Sequence, residues 1–231
     1  TISDSLNLTA GLRWTEEKKE LTNKNRLEVA ATGDLIGCRV PPGNIPLDQC
    51  SVDSSDSFSD PSWLISLDYR INEQVMVYAS NSRSWRGGGQ NLRADGDDLA
   101  AAEPFAPETA TSYEVGLKGD FADGLLRLNL AAYYVDYEDV QRTIVVPGSA
   151  QGSVVTVLTN AAEAEISGFE AEAWLNPTEG LTFSATAGYM DFEYVDFDSL
   201  GQDGVTLIDR SDESISLPEL QISLSTRYET S

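Results

Sequence analysis

Five closely spaced residues offer the chemistry of recognition: Arg83, Trp85, Arg86, Asn91 and Arg93. A guanidinium fork pairs with anionic oxygens, and an indole stacks on a flat group. Together they read as a ligand-binding surface on or near a long polar connection. The plainer alternative is that Arg86 and the Gly87-Gly88-Gly89 run merely bend the chain. Cys38 and Cys50 are the only cysteines and share one polar segment containing Pro and Gly. That placement suits a loop-closing disulfide formed in an oxidising compartment, with two free thiols as the alternative. Metal binding there would need ligands that the segment does not supply. Acidic groups cluster at Asp95, Asp97 and Asp98, and again at Asp191, Asp196, Asp198, Asp203, Asp209 and Asp212. Carboxylates spaced by two can ligate Ca²⁺. The twelve-residue calcium loop with its closing Glu is absent, so solvated loop charge is the simpler reading.

Catalytic chemistry finds little support. The chain has no histidine, which removes the commonest general base and the commonest transition-metal ligand. It has no Gly-x-Ser-x-Gly, no phosphate-cradling glycine loop followed by Lys, and no cysteine-based metal spacing. A carboxylate-pair hydrolase stays open on composition, but nothing singles out one pair among 38 Asp plus Glu. A non-enzyme without cofactor or resident metal is expected. Against those acids stand 15 Lys plus Arg, giving a formal net charge of -23. A surface of that sign repels phosphates and argues against a nucleic-acid partner.

The elements that must position these residues are strands. Period-two alternation recurs along the chain. Leu6, Leu8, Ala10, Leu12 and Trp14 oppose Asn7, Thr9, Gly11 and Arg13; Trp63, Ile65, Leu67, Tyr69 and Ile71 oppose Ser62, Ser66, Asp68 and Arg70. Further runs cover 75–79 (with a polar extension to Arg83), 111–121, 126–134, 168–175, 181–189 and 220–228. No run of 18 apolar residues occurs, so no transmembrane helix is expected. A barrel strand needs only about ten residues with alternate ones apolar.

Connections alternate in length. Asn72-Glu73-Gln74, Asp123-Gly124 and Asn176-Pro177-Thr178-Glu179-Gly180 are short and turn-like. The others, roughly 22–57, 84–110, 147–158 and 192–216, are long and polar. Short turns at one end and long loops at the other are the pattern of an outer-membrane barrel. Trp14, Trp63, Tyr69, Tyr113, Phe121, Tyr134, Trp174 and Tyr189 are expected in interfacial girdles.

Several stretches resemble the barrel of TonB-dependent receptors. Tyr78-Ala79-Ser80 runs into the Arg- and Gly-rich segment Ser84-Trp85-Arg86-Gly87-Gly88-Gly89-Gln90-Asn91. Pro107-Glu108 and then Tyr113-Glu114-Val115-Gly116-Leu117-Lys118 are similar to that family's "Pro-Glu … Tyr-Glu-x-Gly-Leu-Lys" strand. Arg127 to Gln141 follows in kind. Asn160-Ala161-Ala162 and Gly168-Phe169-Glu170-Ala171-Glu172 resemble its "Asn-x-x-x-Ala … Gly-x-Glu-x-Glu" stretch, and Leu217-Pro218-Glu219-Leu220 its Pro-containing approach to another strand. No element is specific alone; the ordered series over roughly 60–228 is.

The resemblance implies that residues 1–231 are part of a receptor barrel domain, about eight strands of a larger closed wall. It implies outer-membrane localisation in a Gram-negative bacterium and a small ligand such as a ferric siderophore. Expected partners are outer-membrane lipid, a plug domain and remaining barrel strands of the same protein, and TonB through an N-terminal region. Thr1-Ile2-Ser3-Asp4 is no signal peptide, and neither a plug nor a terminal aromatic residue is recognisable. Contact with the plug becomes a further role for Arg86 and its glycines. The competing readings are a complete eight-strand outer-membrane barrel acting as an adhesin or structural protein, and a secreted all-β glycan-binding module.

Overall fold

The structure, a computed structural model, describes residues 2–24, 26–38, 49–91, 104–147, 154–200, 206–213, 215 and 217–230. Eight long strands carry the fold: β1 (Leu6–Asn23), β4 (Val52–Arg70), β5 (Val75–Arg86), β6 (Glu108–Phe121), β7 (Leu126–Pro147), β8 (Val154–Thr178), β9 (Leu181–Leu200) and β11 (Leu220–Tyr228). Three short strands, β2 (Arg26–Glu28), β3 (Leu35–Cys38) and β10 (Leu207–Asp209), complete the described elements. The long strands form an antiparallel meander in the order β1-β4-β5-β6-β7-β8-β9, with β11 and β10 pairing successive stretches of β9. The sheet is open, and β1 and β11 are its edges.

Register turns the alternation into two unlike faces. One row runs Leu8–Leu67–Ala79–Val115–Ala132–Phe169–Tyr189–Leu220 across eight strands, each residue paired with the next. The neighbouring row on the other face runs Asn7–Asp68–Tyr78–Gly116–Ala131–Glu170–Gly188–Gln221. On the apolar face Leu12 is 80% exposed and Leu224 77%. Among the described residues no layer covers this face, an arrangement suited to a hydrocarbon solvent. About nine residues per strand, at roughly 3.3 Å each and tilted, make a band about 25 Å tall.

Aromatics border that band. Trp14, Trp63, Tyr113, Tyr134, Phe169 and Tyr189 lie toward the long connections, and Tyr69, Phe121 and Tyr228 toward the short ones. Trp174 departs from the expected girdle. It pairs with Arg127 and Ser184, in the row of the polar face, because its place in the alternation puts it opposite Leu175 and Ala173.

The short turns are as compact as the sequence demands. Asn72 Oδ1 accepts from the N–H groups of Gln74 and Val75, both at 2.9 Å, an Asx turn. The β8–β9 turn is tighter than expected. Thr178 pairs with Leu181 after a bulge, leaving only Glu179-Gly180, with Gly180 at φ 78°. The long connections are shorter than expected, because strands continue past the apolar band. β7 has 22 residues and β8 has 25, against the ten or so needed to cross. The 22–57, 84–110, 147–158 and 192–216 connections therefore contract to 24–51, 87–107, 148–153 and 201–219, interrupted by the short strands.

Two glycine–tyrosine joints fix the register on the polar face. A Cβ at Gly116 would enter the Tyr78 ring, and one at Gly168 would lie 2.6 Å from the Tyr133 hydroxyl. Tyr78 donates its O–H to Glu114 at 2.6 Å, and Lys118 lies over its ring at 5.5 Å. Gly116, Glu114 and Lys118 of the Tyr-Glu-x-Gly-Leu-Lys stretch thus surround one side chain of the neighbouring strand, while Tyr113, Val115 and Leu117 belong to the apolar face.

The most buried cluster lies beyond the upper girdle, where β7, β8 and β9 project together. Val140, Ala162, Ala164, Tyr194 and Phe197 are buried, with Tyr137, Phe192 and Ile215 against them. Paired bulges between Tyr137 and Val140 and between Glu163 and Ala164 reset the alternation here.

Candidate functional site

The arginine-rich segment ends β5 at the long-connection side. Arg83 pairs across the sheet with Trp63 and Thr111, in the apolar row. Its guanidinium lies 5.4 Å from the Trp63 ring centroid, ion-pairs with Asp60 and donates to Pro61 O at 2.8 Å. Proline has no N–H to continue a ladder, and β4–β5 pairing stops at Trp63–Arg83. Arg83 fills the opening. Trp85 shares the outward row with Arg83 and is half-buried.

Arg86 falls on the opposite, inner face. Its Nε meets Glu108 at 2.9 Å and its Nη2 donates to Gln141 Oε1 at 3.0 Å, while the side chain stays 62% exposed. Glu108 is only 3% exposed and accepts also from Tyr137 O–H at 2.8 Å and Gln141 N–H at 2.7 Å. Three donors satisfy a carboxylate that burial would otherwise penalise. Burial, then the Glu108 hydrogen bond, raise the Tyr137 pKa above its ordinary value.

That network grips the root of the 87–107 connection. Gln141 Nε2 donates to Gly87 O at 3.2 Å and Ala106 O at 3.0 Å. Asn160 accepts from Ala106 N–H at 2.7 Å and donates back to its carbonyl at 3.0 Å. Gly89 and Phe105 exchange both backbone hydrogen bonds. The three glycines are buried, and a Cβ at Gly88 would collide with Phe105 O and Phe58, and at Gly89 with the Phe105 ring. Asn91 does not face solvent as a free donor. Its amide accepts from Leu158 N–H at 2.8 Å and donates to Leu158 O at 2.9 Å, in the manner of a paired strand residue. Arg93 lies outside the described residues, as do Asp95, Asp97, Asp98 and Asp203.

Cys38 and Cys50 are joined by a disulfide, with Cα atoms 5.5 Å apart, tying β3 to the approach to β4. Among the described residues no group of three Cys, Asp or Glu could hold a metal ion. Asp209 has a lowered pKa because the backbone N–H of Ser211 and its hydroxyl bond the carboxylate.

Sequence reasoning missed Arg142 and Tyr194. Arg142 lies over the Tyr194 ring at 5.1 Å, beside Tyr137 and Phe192 on the inner face. The available signal was an aromatic series, Phe192, Tyr194 and Phe197, on a segment otherwise rich in acids.

An uncovered apolar face with aromatic borders, a polar inner face, and every short turn at one end define a section of outer-membrane-type β-barrel wall. A family description, "TonB dependent receptor-like, beta-barrel", matches residues 1–231. The chain belongs to the TonB-dependent receptor family. Over 125 residues it is 30% identical to the Metal-pseudopaline receptor CntO of Pseudomonas aeruginosa, covering 54% of this chain and 16% of CntO. Among solved structures it is similar to the siderophore receptor PiuA from Acinetobacter baumannii, with a TM-score of 0.64 and 19% identity over 98% of this chain and 29% of PiuA. The ferric yersiniabactin uptake receptor FyuA from Yersinia pestis gives a TM-score of 0.63 and 18% identity over 97% of this chain and 29% of FyuA. The chain thus spans less than a third of each.

Proposed function

We propose that this chain forms about a third of the barrel domain of an outer-membrane receptor that takes up a metal chelate, a ferric siderophore above all, with energy delivered through TonB. The observation that carries this reading is the sidedness of the wall: its inner face ends, at the long-connection end only, in a mouth bearing Arg86, Tyr137, Arg142 and Tyr194. Such a mouth can hold a ligand by hydrogen bonds and ring contacts without covalent chemistry. Names of similar proteins support the ligand class: a metal-pseudopaline receptor, a siderophore receptor and a ferric yersiniabactin uptake receptor.

In this reading the polar inner rows face a plug domain, and lipid covers the apolar rows. Arg86 is the ligand contact among the five residues first singled out, being inward and exposed. Trp85 adjoins it in the chain, Arg93 is kept as a further candidate contact, and Arg83 and Asn91 brace the rim. The test is uptake of radioactive iron, presented as a panel of siderophores, by iron-starved cells with and without the gene. Loss of uptake of one chelate on deletion, and equally on deletion of tonB, supports the reading. Unchanged uptake of every chelate would refute it.

A further inference from the structure

Five described arginines lie on β5, β7 and the segment after β10, and four of them are already neutralised. Arg83 is held by Asp60, Arg86 by Glu108, Arg127 by Asp120 and Arg210 by Glu213. Arg142 makes no ion pair with any described residue. Its guanidinium lies over Tyr194, 5.1 Å from the ring centroid, and its Nε is buried without a hydrogen-bond partner among the described residues. The bulge after Tyr137 puts it in the inward row, between Val140 and Ile144.

This is an unusual way to keep a cation. A buried N–H without an acceptor is unfavourable, and an aromatic face compensates only in part. Arg142 as a whole is only half-buried, so a ligand can approach the rest of its guanidinium. The ring beneath holds the fork still, which lowers the entropy lost on binding. In a chain of net charge -23, an unneutralised arginine is the local attraction that an anion would find.

We propose that Arg142, held on Tyr194, is the residue that binds an anionic oxygen of the incoming chelate, a carboxylate or a catecholate, and so selects anionic over neutral metal complexes. This inference rests on the receptor reading above. Arg86 is second to it, since an incoming anion must compete there with Glu108.

The experiment uses the full-length receptor in detergent and three probes: ferric citrate, a ferric tris-catecholate and a neutral ferric trihydroxamate. Affinities are measured by tryptophan fluorescence quenching for the wild type, Arg142→Ala and Arg142→Lys. Heat-modifiable gel mobility reports folding, and Arg142→Gln replaces the alanine variant if that one does not fold. Wild-type protein should bind at least one anionic probe, and Arg142→Ala should weaken it about tenfold to a hundredfold. Lysine should restore part of the loss, and the neutral probe should change less than about threefold. Unchanged binding of the anionic probe, or equal losses for neutral and anionic probes, overturns the proposal and leaves the receptor reading standing. A wild-type receptor that binds none of the three also overturns it, and the uptake assay then decides the receptor reading separately.

Discussion

Replacing Glu108 by alanine should loosen the root of the 87–107 connection while leaving the barrel wall intact. The carboxylate is 3% exposed and accepts from Arg86, Tyr137 and Gln141. Its removal orphans the buried Gln141 N–H and the Tyr137 hydroxyl, each at about 1–3 kcal/mol. Arg86, 62% exposed, regains water and adds little. The local loss is therefore about 2–6 kcal/mol, and at 1.4 kcal/mol per tenfold this is roughly 30- to 20,000-fold in an opening equilibrium. Hydrogen exchange of the full-length receptor reads this directly, because local openings need not unfold the barrel. The Gln141 amide should lose protection by that factor, and the Gly89 and Phe105 amides, which bond each other, at least about tenfold. Amides of Val115 and Leu130, within the wall, should not change. Arg86→Ala should have a much smaller effect than Glu108→Ala. If the Gln141 amide keeps its protection in a folded Glu108→Ala receptor, the keystone role assigned to this carboxylate is wrong.

Four further outcomes are expected. Gly116→Val should lower the yield of folded receptor, at a cost of about 1–3 kcal/mol for overpacking against Tyr78, and Tyr78→Ala in the same chain should recover part of it. Val115→Lys, on the apolar face, should cost about 2–4 kcal/mol in a lipid-refolding titration, whereas Ser80→Lys on the inner face should be nearly silent. Gly180→Ala should destabilise by about 1 kcal/mol in the same titration, since φ is 78° there and the new Cβ would meet Glu229 O. Tyr137 has a raised pKa in the fold, so its neutral phenol is the stabilising form. That contribution is full below the unfolded value of about 10 and is lost as pH rises through the folded value. Exchange protection of Gln141 should fall over that alkaline range in wild type and show a weaker pH dependence in Tyr137→Phe.

Eight strands were legible because two solvents imposed them. Lipid on one side and a polar lumen on the other make the period-two pattern of Leu6 to Trp14 or Thr111 to Phe121 unmistakable. Where both faces are polar the pattern vanishes, which is why Thr22-Asn23 and Val52 to Ser57 read as loop although they pair in register. The candidate site was legible only in part. Arg83 and Arg86 stand out by composition, but their counter-charges, Asp60 and Glu108, lie 23 and 22 residues away on strands whose pairing the sequence does not state. Arg142 was invisible for a different reason. The bulge between Tyr137 and Val140 shifts the alternation, so counting by twos from Tyr133 puts Arg142 on the wrong face.

The tyrosine joints act as a proofreading code for pairing. A slip of one residue exposes itself by turning apolar side chains into the lumen, but a slip of two leaves every face unchanged and passes that check. It would, however, set the Tyr78 ring against Glu114 or Lys118 in place of Gly116, and Tyr133 against Glu170 or Ile166 in place of Gly168. Each ring and its glycine are a word and its checksum, written on separate strands and legible only in the correct alignment. An assembling wall can thus reject the one misalignment that hydrophobic patterning cannot detect.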